Sequence, residues 1–371
     1  MRIIRQELAT ICCFLILVVF ISLKDGLSPQ NLGNTQSFFV LIIVFLIMLW
    51  CAFNVVRHAE SLAVILGEPY GTLILTLSVI LIEVALISSV MLTGADSPTL
   101  ARDTMFSVLM IILNGLVGIS LLLGGWRHKM QSYNVQGANA YLSVLIPLAI
   151  LGLVMPSFTN STLGGTLSPL LAISLGIAAT VLYGVFLVIQ TTTHSDIFQP
   201  PKHKRPHAIS AKLNTHKLKV KTLSYHVVML IAAILAIVFL SKILAVYIDH
   251  VIALSHAPVE LGGFLIAAII LTPEGLSAVN AALANKLQRS VNICLGSALA
   301  TIGLTIPAVL CVSWITTLPV ELGLAPLESM LLVLTLMVSV VTFVSRRTNI
   351  MQGVVHLTLF AAYIVLIFDS V

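Results

Sequence analysis

"TLILTLSVILIEVALISSVML", residues 72–92, is an almost unbroken apolar run with one charge inside it, Glu83. A helix needs about 20 such residues to cross roughly 30 Å of hydrocarbon, so the stretch reads as a membrane span. The rest of the chain repeats the pattern. Of its 371 residues 58% are hydrophobic and 9% charged, against about 25% charged in a typical soluble domain. The fold class that follows is all-α: a polytopic membrane protein.

Runs of sufficient length lie near residues 8–23, 37–56, 68–92, 103–123, 140–155, 167–190, 223–246, 260–284, 290–314, 327–345 and 350–368, which predicts eleven transmembrane helices. The first begins like a signal sequence, with Arg2 and Arg5 ahead of apolar residues. No small-residue cleavage site follows in "SLKDGLSPQ" (22–30), so this helix is expected to be retained. All but Lys24, Arg102 and Lys242 of the 19 Lys and Arg residues fall in one set of alternate loops. Loops rich in Lys and Arg stay in the cytoplasm, which predicts a cytoplasmic N-terminus and a C-terminus on the far side. The net charge of +5 therefore reports topology and a lipid bilayer, not a nucleic-acid partner. Cys12, Cys13, Cys51, Cys294 and Cys311 fall in apolar spans without metal or redox spacing and read as small packed residues.

The one long polar segment, 191–222, carries seven basic residues and His194, His203, His207 and His216, and reads as a basic, solvated cytoplasmic linker that enforces topology. It divides the chain into an extra N-terminal helix (1–36), a first five-helix repeat (37–190) and a second (223–371). The second span starts outside and the seventh inside. Any likeness between the halves then makes them inverted-topology repeats, the architecture of many secondary transporters, with the helices here dividing 1 + 5 + 5.

The halves match at their carboxylates. Glu83 is the sixteenth residue of the third span, and Glu274 of "LTPEGLSAVN" (271–280) is the sixteenth counted from Val259. Aligning Arg102 with Arg289 sets Asn114 opposite Thr301, twelve positions on in each case. At about 100° per residue, Thr72, Thr76 and Glu83 share one stripe, and Glu274, Ser277, Ala281 and Asn285 another. Asp103, Ser107 and Asn114 form a third, and Ser290, Ser297, Thr301 and Thr305 a fourth. Narrow polar faces cannot point cheaply at lipid, so the four are expected to converge around a cavity.

A charged side chain at the bilayer centre costs about 3 kcal/mol on insertion scales. Two glutamates there avoid standing as bare charges by holding either protons or a metal cation between them, so two protons would balance one divalent ion. Calcium takes six to eight oxygens. Pro273 cannot donate to the carbonyl of Ile269, and Gly275 adds flexibility, so a helix break here would free that carbonyl as a ligand. Thr76, Ser277, Asn114, Ser297 and Thr301 could supply further oxygens along a cation pathway. Asp103, Glu260 and Glu68 read as ordinary acidic residues at helix starts.

"LGEPYGTLILTLSVILIEVALI" (66–87) and "PEGLSAVNAALANKLQRSVNICLGSALATIGLTIP" (273–307) resemble the two alpha-repeats of the calcium/cation antiporter superfamily, in its bacterial cation/proton exchanger branch. "RHAESLAVILGEPYG" (57–71) and "HLTLFAAYIVLIF" (356–368) extend the likeness over most of the chain. The resemblance implies alpha-repeats at about 58–123 and 256–314, in a bacterial inner membrane. It also implies exchange of calcium, sodium or potassium for protons by alternating access, without a cofactor. By motif position Glu83 and Glu274 carry the cation and proton, with Asn114 and Ser297 on family polar positions. Where the wider family has Gly-Asn-Ala-x-Glu, this chain has Val79, Ile80, Leu81, Ile82 and Glu83, and Ala300 replaces an expected glutamine. Fewer side-chain oxygens speak for monovalent cations beside calcium. The competing readings are a polytopic membrane metallohydrolase, which needs a His and Asp or Cys constellation at membrane depth, and a passive cation channel.

Overall fold

A computed structural model describes residues 7–23, 26–67, 70–92, 98–160, 162, 164–200 and 216–369. Among them, nine helices are long and apolar enough to cross a membrane, joined by two shorter apolar ones. In chain order they are α1 (Leu8–Ser22), α2 (Asn34–Leu66), α3 (Tyr70–Leu92), α4 (Leu100–His128), α5 (Val135–Phe158) and α6 (Pro169–Thr193). The second half supplies α7 (His216–Ser255), α8 (Glu260–Leu283), α9 (Leu287–Thr316), α10 (Pro326–Val344) and α11 (Ile350–Asp369). Each expected span has a helix, and several run past their hydrocarbon-sized cores. Helix α2 continues through Arg57 and His58, and α7 starts at His216, inside the expected linker. Intrahelical hydrogen bonding does not stop where apolarity does.

The linker is also less solvated at its start than its composition suggests. Phe198 is 7% exposed, meets Tyr141 and Phe186 edge-to-face, and its carbonyl accepts from Asn292 Nδ2 at 2.7 Å. One aromatic residue with two neighbours to pack on outweighs the polar residues around it. Residues 201–215, with His203 and His207, lie outside the described residues.

The helices divide into two compact units that cut across the sequence halves. The first, residues 1–97 and 212–273, holds α1, α2, α3, α7 and the start of α8. Helix α7 lies along α2 and α3, and α1 lies against α2 and α7. Here Asn54 Nδ2 donates to Thr10 Oγ1 at 3.2 Å, and Tyr247 donates its hydroxyl hydrogen to the carbonyl of Leu27.

The second unit, residues 98–211 and 274–370, holds α4, α5, α6, α9, α10, α11 and the remainder of α8. Helix α4 packs on α11, α5 on α9 and α10, and α6 on α9. At one end β1 (Gln131–Ser132) pairs antiparallel with β2 (Arg347–Thr348), bringing the α4–α5 and α10–α11 connections together. At the other, Thr166 bridges to Glu321, and Arg102 Nη1 donates to the carbonyl of Gly323 at 2.9 Å. Gly165 has φ +72°, and a Cβ there would stand 3.1 Å from Gly323 Cα, so both the backbone angle and the close approach call for glycine.

Candidate functional site

Helices α4 and α9 share an irregularity that hydropathy does not show. Each relaxes into a π-helical turn midway, Ile111–Leu116 in α4 and Thr301–Thr305 in α9. Asn114 lies in the first turn and opens none of it to solvent, at 0% exposure, and Thr301 begins the second at 1%. The first begins nine residues after Arg102 and the second twelve after Arg289. Their packing is reciprocal: the first part of α9 meets the turn of α4, and the first part of α4 meets the turn of α9. Single π turns inside α-helices widen the coil locally and concentrate at functional sites.

Glu274 belongs to the part of α8 in this second unit. It is half-buried, and Ser297 of α9 donates its hydroxyl hydrogen to Oε2 at 2.6 Å. In the alignment on Arg102 and Arg289 the residue matching Ser297 is Met110, whose sulfur instead accepts from Asn114 Nδ2 at 3.5 Å. Helix α9 thus offers Glu274 a hydroxyl at a position where α4 has a thioether.

Pro273 does not break α8. The helix runs from Glu260 to Leu283 with the proline inside it, which corrects the expected interruption at Pro273 and Gly275. Loss of one N–H donor removes a single bond while the flanking turns keep theirs. The consequence for Ile269 is as expected from chemistry: its carbonyl has no donor in Pro273, although Ile269 is 0% exposed. Gly275 has a packing role. A Cβ at that position would stand 2.6 Å from Leu116 Cδ2 and 3.2 Å from Cδ1, so glycine lets α8 approach the π turn of α4. Ser277 lies one turn further along α8 and is half-buried.

Asn114 is more heavily engaged than a spare ligand would be. Its Nδ2 donates to Thr335 Oγ1 of α10 at 2.8 Å, and its Oδ1 faces His356 Nδ1 of α11 at 3.3 Å. His356 Nε2 in turn meets Thr342 Oγ1 at 3.0 Å. Because the amide oxygen only accepts, Nδ1 of the imidazole carries the hydrogen there and Nε2 accepts from Thr342. Thr335 and His356 are both 0% exposed. Ser107, on the same stripe as Asn114, meets the Tyr363 hydroxyl at 2.7 Å. The polar face of α4 is therefore met by hydroxyls and an imidazole from α10 and α11. Periodicity does not single out His356, although its signal resembles that of Glu83: a basic side chain at the head of the apolar run "HLTLFAAYIVLIF".

In the first unit Glu83 is 2% exposed on α3, with Val79 and Ile80 buried beside it at 6% each. The side chains of Thr72 and Thr76 lie outside the described residues. Asp103 behaves as an ordinary helix-start acid, accepting from Thr99 Oγ1 at 2.9 Å and Arg102 Nε at 2.8 Å, and Glu260 opens α8. Glu68 lies outside the described residues.

The family described as sodium/calcium exchanger protein matches the chain over residues 36–192 and again over 225–368. The sodium-potassium/proton antiporter ChaA of Escherichia coli K12 is 40% identical over 350 residues, spanning 91% of this chain and 92% of the relative. The Ca(2+)/H(+) antiporter ChaA of Bacillus subtilis 168 is 25% identical over 317 residues, 84% of this chain and 85% of that one. Among solved structures, native YfkE superposes with a TM-score of 0.68 at 19% identity, over 96% of this chain and 99% of that one. The H+/Ca2+ exchanger CAX also gives 0.68, at 13% identity, over 97% and 87%. At those identities the two structures speak for the fold alone.

Proposed function

The chain belongs to the sodium/calcium exchanger protein family, and from that membership we propose that it exchanges sodium, potassium or calcium for protons around Glu83 and Glu274. Its relatives are transporters, which removes the metallohydrolase reading, and they are antiporters, which displaces the passive channel. The monovalent side of the reading draws on the 40% identity with a sodium-potassium/proton antiporter and on buried Val79 and Ile80 beside Glu83, where no side-chain oxygen can complete a calcium shell.

The observation that carries the proposal is the Ser297 to Glu274 hydrogen bond at 2.6 Å. In the ionised state the carboxylate accepts from the hydroxyl. In the protonated state the carboxyl donates, the hydroxyl rotates to accept, and no heavy atom need move. In the cation-bound state the serine oxygen turns a lone pair to the ion beside Glu274. One pair of side chains thus accommodates each of the three occupants that antiport requires. The same competition operates at Glu83. The double match of the family at 36–192 and 225–368 supports two inverted repeats that alternate access, and the Lys and Arg distribution supports an N-terminus in the cytoplasm of a bacterial inner membrane.

The test is reconstitution in vesicles with an imposed pH gradient, adding sodium, potassium and calcium separately. Each transported cation collapses the gradient. Absence of any cation-dependent proton movement would sink the antiport reading.

A further inference from the structure

Far along the chain from both glutamates, the first unit holds a cluster of titratable groups that antiport does not use. His58 of α2 and His226 of α7 face each other with their Nδ1 atoms 2.9 Å apart. On its other side, His58 Nε2 lies 3.1 Å from Glu7 Oε2. Arg57 Nη2 donates to Glu7 Oε1 at 2.7 Å, and the Tyr225 hydroxyl donates to the same oxygen at 2.5 Å. Arg57 Nη2 also passes 3.1 Å from His58 Nε2; because the Glu7 carboxylate only accepts, Nε2 of His58 carries the hydrogen they share. His58 is 1% exposed and Glu7 4%, while His226 is only half-buried and open to protons.

Two ring nitrogens 2.9 Å apart have room for one hydrogen between them. With both rings neutral, His226 Nδ1 donates to His58 Nδ1. One added proton makes His58 an imidazolium that donates from both nitrogens, to Glu7 and to His226, which then keeps its own hydrogen on Nε2. No heavy atom moves. A second proton puts a hydrogen on each facing nitrogen and sets two cationic rings against each other, beside Arg57.

We propose that the His58–His226 pair is a proton-binding site in addition to Glu83 and Glu274, and that its second proton parts α7 from α2 and slows exchange. The groups facing the pair are Glu7 from the α1 end, Arg57 from α2 and Tyr225 from α7. Helix α3, which packs on α2 and α7, contributes one charged residue within its own length, Glu83, about 20 Å along from Tyr70 at 1.5 Å per residue. Glu7 therefore meets three cationic side chains once both rings are charged. Because α3 rests on α2 and α7, separating their ends loosens the helix that carries Glu83. The effect on rate rests on the antiport reading; the proton-driven separation does not.

The experiment is peptide-resolved hydrogen exchange on the purified protein over residues 50–62 and 222–233, corrected for intrinsic pH dependence, between about pH 7.5 and about pH 5, the range in which histidine clusters switch. Protection in both segments is expected to fall about tenfold on the acid side in the wild type and to persist in His226→Gln, a half-buried position that tolerates the change. In vesicles, wild-type exchange falls over the same range and His226→Gln keeps its rate. Wild-type protection that does not change with pH overturns the proposal, as does an identical acid loss in the variant. Wild-type vesicles without cation-dependent proton movement at about pH 7.5 would remove the antiport reading and leave the hydrogen-exchange result to decide this one.

Discussion

Ser297 donates to Glu274 across 2.6 Å, from a position 23 residues further along the chain and on the next helix. Replacing it with alanine removes a hydrogen bond to a charged group, worth about 1.5–3 kcal/mol. The expected outcome is a rise of roughly tenfold to a hundredfold in the cation concentration giving half-maximal exchange, with Ser297→Thr close to wild type. An unchanged concentration dependence in Ser297→Ala would take the hydroxyl out of the ion site.

Glu83→Gln and Glu274→Gln are each expected to abolish cation-dependent proton movement while the protein still reaches the membrane in near-normal amount. A glutamine keeps the shape of the side chain and loses the ability to alternate between proton and cation. Exchange retained by either variant removes that residue from the mechanism.

Gly275→Ala puts a Cβ 2.6 Å from Leu116 Cδ2. Overpacking of this kind costs about 1–3 kcal/mol, read as a lower unfolding temperature in detergent. The colliding atom is the far end of a flexible side chain, so Leu116→Ala in the same protein is expected to restore much of the loss. Failure of the double variant to recover would show that close approach to Leu116 is not what glycine provides.

Asn114→Leu leaves the Thr335 hydroxyl and the His356 Nδ1–H without their buried partner. Each group so orphaned costs about 1–3 kcal/mol, and the variant should unfold at a lower temperature than Asn114→Asp, which keeps an oxygen for His356. Equal stability of the two variants would argue that the amide network contributes little.

Glu7 gives a pH dependence with a definite sign. Burial alone would raise its carboxyl, but hydrogen bonds from Tyr225 and His58 and the charge of Arg57 outweigh it and hold the group below the usual glutamate value. A folded value lower than the unfolded one adds stability above the ordinary glutamate range, and that stability is lost as pH falls through the folded value. Unfolding temperature in detergent should therefore drop on acidification more steeply in the wild type than in Glu7→Gln. Parallel curves would show that the Glu7 carboxylate contributes nothing that depends on its charge.

Much of the fold was legible because hydropathy is a local property. Twenty apolar residues form a helix in lipid whatever their neighbours do, since every backbone group must be paired within the segment. The linker start misled for the opposite reason: Phe198 is one apolar residue among polar ones, and only its contact with Tyr141 and Phe186 decided that it is buried. Pro273 misled because a lost hydrogen bond is visible in a sequence, whereas the ability of the flanking turns to hold α8 together is not.

By itself the sequence determined that the chain spans a membrane many times, and it put one glutamate within an apolar run in each half. Charge and apolarity set those without reference to any distant residue. Tertiary structure alone decided what each polar group meets. Asn114 finds His356 242 residues away, His58 finds His226 168 residues away, and Glu274 takes its hydroxyl from one residue of a four-residue stripe. In lipid each helix is already complete in its own hydrogen bonds, so which faces meet depends on close packing and on side-chain pairs between helices, and those pairs form only once the helices are side by side.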